Sequence, residues 1–156
     1  MNTDHVLSTI DILCLGLVLG STVFFFFVQS PKLLLFMGRE KFVTIQMKIT
    51  AWFFAYIQTP LLLSLLLSYK HGGLRLSSAG IALAGGFINY AVVVPRALRA
   101  GKSSVAERKG KDSEATLTKS AIEGAAGSTK FWHQTVVFFV VVMAAGLIAH
   151  AYALSA

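Results

Sequence analysis

Four uninterrupted apolar blocks, at about residues 10–28, 49–68, 76–94 and 131–154, constrain this chain more than any other feature of it. Each is close to the ~20 residues that a helix rising ~1.5 Å per residue needs to cross a ~30 Å hydrocarbon layer. The apolar residues run in blocks and leave no polar face, so each block suits lipid or other helices on every side. Hydrocarbon offers no partner to an open N–H or C=O, which forces such blocks into helices. Spanning strands would be ~10 residues long with alternating polarity, and that pattern is missing. A content of 55% hydrophobic and 13% charged residues excludes the disordered and ordinary soluble classes. The expected fold is an all-α integral membrane protein, one four-transmembrane-helix bundle over residues 1–156, with the lipid bilayer as its first partner. Pro31 and Pro60 should kink their helices, and Pro95 should end the third. Asp4 and His5 stand where a signal peptide would carry Lys or Arg, so the chain reads as mature from residue 1.

Charge orients the bundle. Lys32, Arg39, Lys41 and Lys48 lie between the first two blocks. Arg96, Arg99, Lys102, Arg108, Lys109, Lys111, Lys119 and Lys130 lie between the last two, in a basic loop over 96–130. The other side has only Lys70 and Arg75. Cations gather on the inner face of a membrane, so both basic segments should face the cytoplasm or a matrix, with both termini opposite. That topology accounts for the net charge of +7 without nucleic acid, for which no recognition motif exists. The loop reads as a solvated connector, with an interfacial helix over 112–126 as the other choice, and its 108–111 stretch suits anionic lipid headgroups.

Small residues set the expected packing. Gly16 and Gly20 form a G-x-x-x-G; Gly80, Ala82, Ala84, Gly85 and Gly86 lie in the third block, and Ala144, Ala145, Gly146 and Ala149 in the fourth. Helices in lipid associate through close backbone approach, so these faces are expected to pack inward. The phenylalanine run 24–27 spans a whole helical turn, and part of it must face lipid or a neighbouring subunit.

Polar residues in apolar spans are costly, and each raises a functional question. Gln46, Lys48, Asn89, His133 and Gln134 stand near the basic side, where they would form either a polar pocket or helix-to-helix hydrogen bonds. Asp4, His5, Asp11, His71 and His150 stand near the other side, but no ligand spacing links them, and no metal site is expected. His133 and His150 would be about 25 Å apart along one helix, too far to share a haem. Cys14 is the one cysteine and reads as a small packing residue. With no G-x-S-x-G, no H-E-x-x-H and no phosphate-binding glycine loop, neither catalysis nor a cofactor is expected.

One pattern has a family likeness. Arg39-x-x-Phe42-x-x-x-Gln46-x-Lys48, followed by Trp52, Phe53 and Phe54, resembles the stretch after the first helix of the transmembrane protein 205 family. Asn89 followed by Pro95 is similar to the close of that family's third helix, and His133 to a histidine opening its fourth. Thr50-Ala51 and residues 136–140 depart from the family pattern. The resemblance implies a four-helix membrane fold, with Arg39, Gln46, Lys48, Asn89 and His133 as its site residues. Family members are linked to platinum-drug resistance and metal handling, which implies a transport role.

Two functions remain as expectations. The first is a non-catalytic accessory subunit packed beside other membrane subunits, with an energy-converting complex such as a respiratory one as a natural host. The second is a small transporter, or a metal- or drug-handling protein, using the basic-side pocket.

Overall fold

The computed structural model describes residues 3–37, 39–100 and 119–155. The described residues form four helices, α1 (Thr3–Met37), α2 (Arg39–Ser68), α3 (Gly73–Ala100) and α4 (Lys119–Ser155). In each, a stretch is long and apolar enough to cross a membrane: Thr3–Met37, Ile45–Ser68, Gly73–Ala100 and Phe131–Ser155. The described residues contain no strand. The four expected blocks are therefore four helices, and α1 and α3 are longer than hydropathy alone suggests. α4 starts at Lys119, so the second half of the 112–126 segment is a helical extension of the last span. The rest of the basic loop, with its 108–111 stretch, lies outside the described residues.

Successive helices run antiparallel, and α1 closes onto both α2 and α4. One end of the bundle, here the basic end, holds the α1–α2 junction and the far end of α3. The other, the closed end, holds the start of α1, the end of α4 and the turn from α2 to α3. Gly72 and Gly73 make that turn with φ of 59° and 50°, a region that only glycine enters without strain. Phe54, Ile57 and Leu61 of α2, Ala82 and Val93 of α3 and Met143 and Leu147 of α4 fill the core.

Proline shapes two helices in a way that its usual effect on an α-helix does not anticipate. Pro95 does not end α3, which continues to Ala100. A π-helical stretch, Asn89–Val93, lies just before it, and a second one, Phe24–Gln29, lies just before Pro31. A proline ring clashes with the carbonyl four residues back and supplies no N–H; a widened turn there absorbs both defects without breaking the helix. The Phe25 carbonyl in the widened turn accepts from the Ser30 N–H and also, at 2.7 Å, from the Ser30 hydroxyl. Pro60 is buried inside α2, which runs through it.

The phenylalanine run divides as its helical spacing requires. Phe25 is buried and stacks on Phe53 with ring centres 4.5 Å apart, while Phe24 and Phe27 face outward.

α3 and α4 approach until backbones touch. A Cβ added at Gly146 would lie 2.7 Å from the Ala82 nitrogen, and one at Gly85 would lie 3.0 Å from the Met143 nitrogen. The expected inward faces of Gly85 and Gly86 are thus in place, but in α4 the close contact is made by Gly146. Ala145 faces outward and Ala149 is half-buried, because the buried line of α4 runs through Met143, Gly146, Leu147 and His150. Gly16 and Gly20 do not pack: both are exposed, with open space where a Cβ would stand. The buried line of α1 passes instead through Asp11, Cys14, Val18 and Thr22.

Candidate functional site

Every helix sends a polar side chain into the closed end. Asp11 comes from α1, Ser64 and Ser68 from α2, Arg75 and Ser78 from α3, and His150 from α4. Asp11 sits inside the first apolar stretch, one turn before Cys14 and on the same buried line. His150 continues the buried line of α4 by one turn from Leu147 and Gly146. Ser64 and Ser68 are one turn apart on α2, so they share a face.

The contacts are specific. The His150 Nε2 lies 3.1 Å from each carboxylate oxygen of Asp11 and 3.2 Å from the Ser64 hydroxyl. The Ser64 hydroxyl donates to Asp11 Oδ1. On the other side of the ring, Nδ1 lies 3.1 Å from the Arg75 carbonyl oxygen and 3.4 Å from the Ser78 hydroxyl. The Arg75 guanidinium reaches Asp11 Oδ2 at 3.7 Å. Ser68 and Ser78 spend their protons within their own helices, on the Ser64 carbonyl at 2.8 Å and the Leu74 carbonyl at 2.6 Å.

Burial separates these groups into an interior and a mouth. Asp11 and Ser68 are 0% exposed and His150 and Ser78 only 1%, whereas the Arg75 side chain keeps 20% of its surface open. Moving a charged group out of water costs several kcal/mol per ion, on the order of magnitude seen in proteins, unless a partner of opposite charge is well placed. Asp11 has Arg75 and His150 as partners, and the whole set is mutually satisfied apart from Arg75 Nε, which has no partner among the described residues. The arrangement can hold and exchange protons. It does not suit nucleophilic attack: Asp11 and Ser64 crowd the same ring nitrogen, and Ser78 is sealed from any substrate.

Asp4, His5 and His71 are exposed. Among the described residues, no three of His, Cys, Asp and Glu stand together as a metal ligand set.

The basic end gathers fewer of its expected residues. Gln46 donates to the Ser30 hydroxyl at 2.7 Å, and the buried Asn89 donates to the Val136 carbonyl at 3.3 Å. These are helix-to-helix hydrogen bonds, and Gln46 Oε1 and Asn89 Oδ1 have no partner among the described residues. Phe42 is half-buried, whereas Lys48, His133 and Gln134 are exposed and turn away from Asn89. The side chain of Arg39 lies outside the described residues. The structure thus does not draw Lys48 and His133 into a pocket with Gln46 and Asn89, because both sit on the outer faces of their helices.

Ser64, Arg75 and Ser78 carried no signal of their own in the sequence. The available signal was Asp11 and His150, one ionisable residue inside each of two apolar spans, at matching distance from the same end of the bundle. A scan against family models matches none to this chain, and searches of curated proteins and of solved structures return no match.

Proposed function

We propose that the chain is a multi-pass integral membrane protein that serves as a non-catalytic accessory subunit within a larger membrane assembly. The observation that carries this reading is the division between its inside and its outside. Among the described residues, the Asp11–His150 cluster at the closed end satisfies its own polar groups within the bundle apart from Arg75 Nε. Large apolar side chains meanwhile point outward from every helix, including Leu13, Phe27, Trp52, Phe87 and Phe138. Soluble monomers rarely expose contiguous apolar patches beyond a few hundred Å², so such a surface asks for lipid or protein against it.

The basic segments face the cytoplasm or a matrix in this reading, and both termini face the opposite side. Lys32, Lys41, Lys48 and Arg96 are exposed at the basic end, where anionic headgroups would meet them. The bulky outward aromatics suit grooves on neighbouring subunits, and an energy-converting complex, such as a respiratory one, is a natural host. The resemblance to the transmembrane protein 205 family supports the four-helix architecture in the same way.

The test is extraction in a mild detergent, followed by native electrophoresis and mass spectrometry of whatever co-migrates. A reproducible set of membrane partners is expected. A chain that migrates alone at monomer size overturns the subunit reading. Metal or drug accumulation in His133→Ala and Asn89→Ala cells would then test the transport alternative.

A further inference from the structure

We propose that Asp11 and His150 form a proton-binding latch, which fastens the four helices at the closed end while the pair holds two protons and loosens when it gives one up.

The geometry requires both protons. The Arg75 carbonyl, 3.1 Å from Nδ1, is an acceptor and cannot donate. The Asp11 carboxylate, 3.1 Å from Nε2, is the acceptor on the other side. The neighbouring hydroxyls do not change this, because Ser64 gives its proton to Asp11 and Ser78 gives its proton to Leu74 at 2.6 Å. A bare ring nitrogen would therefore point at an oxygen lone pair on either side. Two protons satisfy every contact, whether as imidazolium with carboxylate or as neutral ring with carboxylic acid.

Loss of one proton to water leaves one ring nitrogen facing an acceptor. Ser78 can offer a substitute bond only by leaving Leu74 and reaching across 3.4 Å. Ser64 can do so only by abandoning Asp11. The groups facing the ring are Asp11 on α1, Ser64 on α2, and Ser78 with the Arg75 guanidinium and carbonyl on α3. Ser68, also on α2, supports Ser64 from behind. Arg75, partly open at the mouth, marks the route by which the proton reaches water. Because the latch joins α1 and α4, its release frees α1 along its buried line, which includes Cys14. The latch is independent of the subunit reading.

Cys14, the one cysteine, is the reporter. The full chain in lipid nanodiscs is labelled with N-ethylmaleimide from about pH 5.5 to about pH 8.5, a range that brackets ordinary imidazole titration. Each rate is divided by that of the same protein unfolded in SDS at the same pH. The ratio is expected to rise about tenfold with pH in the wild type, the size of one unpaired buried contact, and to change less than about twofold in His150→Gln. A flat wild-type ratio, or an equal rise in His150→Gln, overturns the latch. If His150→Gln does not fold, His5→Gln, His71→Gln and His133→Gln together leave His150 as the one histidine. Nitrogen-15 ring signals from that protein must then change over the same pH range in which Cys14 opens. Signals that stay constant while Cys14 opens refute the proposal.

Discussion

His150 and Asp11 are 139 residues apart in the chain and 3.1 Å apart in the structure, so one contact ties the last helix to the first. Removing one member strands the other. His150→Ala leaves the buried carboxylate with the Ser64 hydroxyl and the more distant Arg75, and the expected loss is about 3–5 kcal/mol. Replacing both residues with Leu strands neither, and Arg75 has room to swing its head outward. The double substitution should therefore cost less than His150→Ala alone. Unfolding of the purified chain by SDS, followed by circular dichroism, measures both. A double variant as unstable as the summed single ones would show that the pair is not coupled.

The glycines of this bundle should divide sharply on substitution. At Gly146 an added methyl meets Ala82 backbone at 2.7 Å, and backbone cannot rotate aside as a side chain can. Gly146→Ala should force α3 and α4 apart and cost about 1–3 kcal/mol. Gly16→Ala and Gly20→Ala enter open space, and alanine is the better helix former by about 1 kcal/mol. Those two should be neutral or slightly stabilising in the same unfolding assay. Equal costs at Gly16 and Gly146 would contradict the observed helix crossing.

The same comparison shows where the sequence was legible. The four helices were readable because a bilayer-length apolar block has one satisfactory backbone structure. Their rotation was not readable. A block that is apolar all round does not tell which side is inside, so Gly16 and Gly20 carried the same signal as Gly85 and Gly86. Only tertiary contact separates the two pairs. Asp11 and His150 were visible singly as costly residues in apolar spans, but their meeting depends on helix rotation and on the turn at Gly72 and Gly73. Pro95 misled for a local reason, since the π-helical turn at Asn89–Val93 lets α3 pass through it. At the basic end, Lys48 and His133 were expected in a pocket from their positions along the sequence, and position along the sequence does not say which face of a helix a residue occupies.

Topology yields the last prediction. Lys32, Arg39, Lys41 and Lys48 join α1 to α2, and eight more cations lie between the third and fourth apolar spans, whereas the α2–α3 side has Lys70 and Arg75. Translocating short cation-rich segments is disfavoured, so the basic end should stay on the inner face. On a Cys14→Ala background, His71→Cys places a thiol in the exposed turn of the closed end, and Lys41→Cys places one on the exposed basic end. A membrane-impermeant maleimide added to sealed, right-side-out membranes should label His71→Cys at once. Lys41→Cys should react only after permeabilisation. The reverse pattern would invert the bundle and place the Asp11–His150 latch at the inner face. Labelling of both thiols without permeabilisation would mean that the segment between them does not cross the membrane.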